Sequence, residues 1–238
     1  MKTSRRSSRV QPGPTHASPE PLPIDAPPLD CSLCPRLAAF RAANKQREPA
    51  WHNAPVATFG DISAELLIVG LAPGLKGANR TGRPFTGDFA GDLLYATLLT
   101  HGFAEGTYAA TPTDGLRLIG ARITNSVRCV PPENKPTPLE IATCRPYLEG
   151  TLARMPELRA IVALGRIAHD SVLTTMGARK SVFPFGHGRI HTLRDGLALY
   201  DSYHCSRYNT NTGVLTPKMF NDVFATIRRG LRTARVGS

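Results

Sequence analysis

Four compact apolar runs, Leu66–Gly70, Ala121–Asn125, Ala160–Leu164 and Leu197–Tyr203, punctuate the 238-residue chain, each rich in Leu, Ile, Val or Tyr and each closed by Gly, Asn or polar residues. Runs of this length without polar alternation belong to strands buried on both faces, the habit of a parallel sheet covered by helices. Longer amphipathic stretches lie around them, predicting helices at about 32–45, 89–101, 138–154, 165–176 and 217–232. The third opens on Thr137-Pro138-Leu139-Glu140, a capping box with proline at the first helical position. An α/β fold follows, with one domain as the simplest reading at this length and no internal repeat. In open α/β sheets the ligand crevice lies beyond the carboxyl ends of the strands. Here those ends carry Gly70-Leu71-Ala72-Pro73-Gly74, Asn125-Ser126 and His204-Cys205-Ser206, which are expected to converge on one site.

Composition narrows the partner. Twenty-nine Lys and Arg against 18 Asp and Glu leave a charge of +11, and such a surplus attracts polyanions before any specific contact forms. The first 28 residues hold a third of the 21 prolines together with several Ser and Arg, so they are expected as a disordered arm preceding a domain over 29–238. Lacking a signal-peptide core and any apolar run of membrane-spanning length, the chain is expected to be a cytoplasmic monomer that binds no membrane.

Five cysteines occur. An odd count and no secretory signal argue against a disulfide framework. Cys31-x2-Cys34 with Cys129-x14-Cys144 could hold one metal centre; zinc and an iron–sulfur cluster both accept four thiolates. A zinc ribbon would present a second tight pair, so the wide spacing favours a 4Fe–4S cluster, though spacing alone does not choose the metal.

The segment from Gly70 to Asp88 resembles a phosphate loop at first sight, yet it has neither the Gly-Lys-Ser/Thr of a P-loop nor the G-x-G-x-x-G of a dinucleotide fold. It offers close backbone approach at its glycines, an aromatic face at Phe85, an amide at Asn79, guanidinium groups at Arg80 and Arg83, and a carboxylate at Asp88. That inventory suits a base and a phosphate.

Taken together, GLAPG-xx-GANRTGRPFTGD, the asparagine ending a strand in ITNSVRC, the HCSRYNTNTG segment from His204 and the cysteine spacing resemble the iron–sulfur uracil-DNA glycosylases of the B type, family five, over about residues 29–230. The resemblance implies a three-layer α/β/α sandwich, with the four strands above as its central, mostly parallel sheet. It implies a structural 4Fe–4S cluster on Cys31, Cys34, Cys129 and Cys144, and hydrolysis of the N-glycosidic bond of a damaged base in DNA to leave an abasic site. Such an enzyme extrudes the base, stacks it and reads its edge. In that setting Gly70, Leu71, Ala72, Pro73, Gly74 and Phe85 form the base site, Asn125 reads uracil's edge, and His204 faces the departing O2. Ser206, Arg207, Tyr208 and Asn209 correspond to the loop that enters the DNA stack, with Arg80 and Arg83 as further DNA contacts.

Two departures matter. Ala72 stands where many relatives carry a water-activating side chain, so Asp88 is the expected water-positioning base, with Asn79 second; Asp88 is equally suited to cap the following helix. Cys205 replaces a usual proline and is not assigned to the metal. The small Ala-Pro-Gly floor predicts tolerance of modified or deaminated bases beyond uracil, and no lyase step is expected from Lys76. The rival reading is a nonenzymatic metal-containing nucleic-acid-binding or electron-transfer module, which would have no need of a pocket built from Phe85, Asn125 and His204.

Overall fold

A computed structural model describes residues 24–236. In chain order its elements are α1 (Pro35–Arg47), β1 (Leu66–Gly70), α2 (Ala78–Thr81), α3 (Phe89–Thr100), β2 (Ala104–Glu105), β3 (Arg117–Leu118), β4 (Ala121–Asn125), α4 (Pro138–Ala153), β5 (Ala160–Leu164), α5 (Arg166–Thr175), β6 (Ile190–Thr192), β7 (Ala198–Ser202), α6 (Arg207–Asn211) and α7 (Pro217–Val236). Of the arm expected over residues 1–28, positions 1–23 lie outside the described residues. Residues 24–28 run along the domain: Asp25 pairs with the buried Arg122 at 3.0 Å, and the Ile24 carbonyl presses so closely on Gly150 that a Cβ there would lie 2.3 Å away.

All four expected strands form, but the sheet has five rather than four, in the order β4-β1-β5-β7-β6. The first four are parallel and β6 is antiparallel to β7. The added strand is three residues long, and its Ile190 is half exposed. A short polar edge strand of this kind leaves no apolar run in a sequence. Residues β2 and β3 pair as a separate antiparallel ribbon.

The sheet's alternation divides the core. Leu66, Ile68, Ala160, Val162 and Leu164 face Leu94 and Leu98 of α3 and Phe220, Phe224 and Ile227 of α7. Leu67, Val69, Ile161 and Ala163 face Leu148 of α4 and Ala168, Val172 and Leu173 of α5. The result is the expected three-layer sandwich. Each fully buried Val, Leu, Ile or Phe among them contributes about 1.5–3 kcal/mol. The chain leaves β1 to pair β4 on one side, then crosses to β5 on the other, so β1 is the switch point beyond which a crevice opens.

Candidate active site

Beyond the carboxyl ends of β1, β4 and β7 lies a cavity of about 620 Å³ whose walls include Leu71, Ala72, Pro73, Gly74, Phe85, Asp88, Asn125 and His204. Its size suits a small planar ligand. The strand-end segments thus converge as their positions predict. Gly70 lies beneath the wall, where a Cβ would sit 2.4 Å from Asn125 Oδ1 and 2.6 Å from Phe85 Cζ. A glycine at the end of β1 is what lets ring and amide share the floor.

Phe85 holds a left-handed backbone, φ 53°, which is uncommon for a bulky residue and marks a position fixed by its surroundings. Its carbonyl accepts from the Tyr108 hydroxyl at 3.4 Å, the Gly87 N–H donates to the same hydroxyl at 3.4 Å, and the Tyr95 hydroxyl donates to the Pro84 carbonyl at 2.7 Å. The ring stacks at 6.0 Å on that of His204. Asn125, the last residue of β4, is buried, and its Oδ1 has no hydrogen-bond partner. A buried acceptor left unpaired costs about 1–3 kcal/mol, a cost that a ligand N–H would remove.

Asp88 takes the capping role and stands in the cavity wall. As N-cap of α3, its Oδ1 accepts from the Gly91 N–H at 3.2 Å. Oδ2 faces the loop so closely that a Cβ on Gly74 or Gly77 would lie 2.7 or 2.1 Å from it. Burial pushes the carboxyl above its usual range, against the pull of the Gly91 and Ala90 N–H groups. Burial pushes the His204 imidazole down to about 4, so the ring is neutral near pH 7. The His204 carbonyl accepts from Asn209 Nδ2 at 2.8 Å.

Several expected contacts lie elsewhere. Arg83, expected on DNA, is buried: it forms a bidentate pair with Asp114 at 2.8 and 2.7 Å and is surrounded by the rings of Phe59, Tyr95 and Tyr108. Asn79, expected beside the water, is wholly buried and donates to Asn53 Oδ1 at 2.9 Å, away from the cavity wall. Asn209 is turned to the His204 carbonyl, whereas Ser206 lines the cavity and also caps α6 by accepting from the Asn209 N–H at 3.4 Å. Arg80 is exposed and donates to the Gly87 carbonyl at 3.1 Å. Arg207 lines the cavity over the Phe89 ring, and Tyr208 is 74% exposed beside it. Asn134, which sequence reasoning missed, also lines the cavity; the one signal for it is the turn-forming Pro-Pro-Glu-Asn-Lys-Pro stretch.

A second cavity is lined by Cys31, Cys34, Cys129 and Cys144 with Leu37 and Val127, and neither imidazole nor carboxylate lines it. Burial pushes the Cys129 thiol up to about 12 and raises those of Cys144 and Cys34. Two buried guanidinium groups oppose this. Arg41 draws the Cys129 thiol downward, and Arg128 does the same for Cys144, whose Sγ accepts the Arg128 backbone N–H at 3.3 Å. Four thiols flanked by buried cations fit a soft metal centre whose ligands are thiolates. Cys205 is buried elsewhere, its Sγ 3.5 Å from the Ala90 carbonyl oxygen.

A doubly covered sheet with a ring-and-amide cavity at its switch point, beside a four-thiol chamber, defines a ligand-binding α/β protein of the kind that seats a planar heterocycle. Residues 57–228 match the family model of the uracil DNA glycosylase superfamily. Curated relatives include the type-5 uracil-DNA glycosylases of Thermus thermophilus, 48% identical over 84% of this chain and 93% of that protein, and of Mycobacterium tuberculosis, 45% identical over 82% and 75%. A type-4 uracil-DNA glycosylase of Sulfurisphaera tokodaii is 30% identical over 69% and 70%. The chain belongs to the uracil-DNA glycosylase superfamily.

Proposed function

We propose that this protein removes uracil from DNA by hydrolysing the N-glycosidic bond, leaving an abasic site. The buried, unpartnered Oδ1 of Asn125 beside the Phe85 ring carries this reading. A uracil stacked on Phe85 offers N3–H to that oxygen and O4 to the amide's N–H groups, an edge that cytosine lacks. As the bond to C1′ lengthens, negative charge gathers on the base, and a neutral His204 donating an N–H toward O2 stabilises it. Asp88 holds a water for attack on C1′ and accepts its proton as the hydroxyl bonds to carbon. The base departs with the electron pair of the C1′–N bond as the water attacks, through an oxocarbenium-like state, so C1′ exchanges one bond for the other. Lys76 lines the cavity but takes no covalent part, so borohydride trapping yields no protein–DNA adduct.

Cys31, Cys34, Cys129 and Cys144 would hold a 4Fe–4S cluster. The cluster would cross-link the segment preceding α1 to the β4–α4 connection through Cys129 and to α4 itself through Cys144. Brown colour and about four irons per chain are expected in the purified protein; stoichiometric zinc would refute this. The Ala72-Pro73 wall carries no bulky group against C5, so 5-hydroxymethyluracil and hypoxanthine are expected substrates besides uracil. The protein acts as a monomer formed by one domain over 29–238. No described helix is long and apolar enough to cross a membrane.

The test is cleavage of a uracil-containing oligonucleotide, read after alkali. Wild type should cut, and Asn125→Ala should lose about 10²–10³ of kcat/KM. An Asn125→Ala protein as active as wild type sinks the assignment. A nonenzymatic binding module would retain the DNA uncut.

A further inference from the structure

The loop between Cys129 and α4 contains a feature that the reaction above does not use. Glu133 and Asn134 are consecutive non-glycine residues with left-handed backbones, φ 54° and 56°, an arrangement that persists only when its surroundings impose it. It places the exposed Asn134 at the mouth of the base cavity. The Asn134 N–H donates to the Pro131 carbonyl within the loop at 3.2 Å, and α1 anchors the residue that follows. Arg36 donates to both carboxylate oxygens of Glu140 at 2.8 and 2.7 Å and to the Lys135 carbonyl at 3.0 Å. Glu140 in turn accepts the Thr137 N–H at 2.7 Å. Arg36 stands two residues after Cys34, and Glu140 stands four before Cys144. The bidentate pair therefore joins the two cysteine-bearing segments, and the third Arg36 hydrogen bond, to the Lys135 carbonyl, ties them to the loop that carries Asn134.

We propose that Asn134 is a further substrate-binding residue whose amide donates to the sugar–phosphate of the extruded nucleotide. Arg36 is the positioning residue that holds it there. Phe85, Asn125 and His204 already take the face and the edges of the base, and an amide N–H at the mouth meets phosphate oxygens before base atoms. The proposal rests on reading the cavity as a base pocket. It makes the thiol centre a determinant of rim geometry, beyond bracing the fold.

The experiment uses the full chain as purified, with its bound metal. Asn134→Ala, Arg36→Ala and the double variant are compared in cleavage of a uracil oligonucleotide and in binding to one bearing an uncleavable abasic-site analogue. Metal content, visible absorption and amide hydrogen exchange over 131–137 are measured in parallel. Asn134→Ala should raise KM and weaken analogue binding about tenfold, with kcat changed by less than about twofold. Arg36→Ala should do the same, speed exchange in the loop, and leave metal and spectrum intact. The double variant should be no weaker than either single variant, as for residues acting through one contact. Wild-type KM and analogue binding in Asn134→Ala overturn the binding role. Loss of metal, or unchanged exchange, in Arg36→Ala overturns the positioning role. If wild type itself leaves uracil in place, the proposed activity fails, and the analogue-binding arm still decides on Asn134.

Discussion

Burial moves two of the ionisable groups facing the cavity, Asp88 and His204, in opposite directions, and both movements suit hydrolysis near neutral pH. With the His204 imidazole pushed down to about 4, kcat/KM should show no transition near pH 6.5, where an unperturbed histidine titrates. The acid limb should belong to Asp88 and lie above the ordinary carboxylate range. Single-turnover rates against pH check this. Asp88→Asn should abolish the limb and cost about 10²–10⁴ in rate, whereas His204→Ala should lower the plateau by about 10²–10³ and keep the limb. The His204 shift also has a stability consequence. An unfolded histidine takes up a proton near pH 6.5 that the folded one takes up only near 4, so this group withdraws stability as pH falls through that window. Denaturant midpoints should show a shallower acid loss in His204→Ala. At this scale Asn125, Asp88 and His204 were legible because each stands at the end of a strand or the start of a helix, where chain position predicts direction. Asn79 was not. Its neighbours suggested an open loop, while its actual partner, Asn53, lies 26 residues earlier in irregular chain.

The arch from Arg83 to Gly87 is the element on which base stacking depends, and it is supported from within the protein. Asp114, accepting both Arg83 bonds and the N–H groups of Ala109 and Leu116, ties the arch to the segment between β2 and β3. Arg83 holds the Asp114 carboxyl well below the usual range by hydrogen bonding, outweighing the cost of burial. Asp114→Asn should destabilise the fold by about 3–5 kcal/mol, because it leaves a buried guanidinium uncompensated; chemical denaturation measures it. Tyr108→Phe removes one hydroxyl between the Phe85 carbonyl and the Gly87 N–H, and should cost about 1 kcal/mol together with a rise in KM. The sequence exposed five of the seven described α-helices and the four buried strands through apolar patterning, but not the short α2 and α6. It concealed this support, since an arginine in a glycine-rich loop reads as a phosphate ligand until its acidic partner, 31 residues away, is seen. Strand β6 was concealed for the related reason that an edge pairs through backbone atoms, which composition does not encode.

Over the whole molecule, a surplus of 29 cationic over 18 anionic side chains predicts a steep rise of KM with salt. Arg207→Ala should reduce the log–log slope by about 1 if it meets a phosphate. A second buried network governs the opposite side of β7. His169 donates to Asp201 at 2.6 Å and to the Phe183 carbonyl at 2.8 Å, and His191 also reaches Asp201, at 3.1 Å. Burial works against protonation of His169, but these acceptors outweigh it and raise its pKa. Its stabilising contribution is complete below the unfolded value near 6.5 and is lost as pH rises through the folded one. Asp201→Asn should therefore cost about 3–5 kcal/mol at pH 6, with the gap from wild type narrowing in alkali.

Phe85, Asn125 and His204 belong to three well-separated stretches of sequence, and β7, which delivers the last of them, completes the parallel part of the sheet. During ribosomal synthesis the four cysteines and the glycine-rich loop emerge long before that histidine. A nascent or prematurely terminated product ending ahead of β7 would carry the four cysteines while lacking His204, so translation order itself withholds activity until β7 and the segment after it have been made.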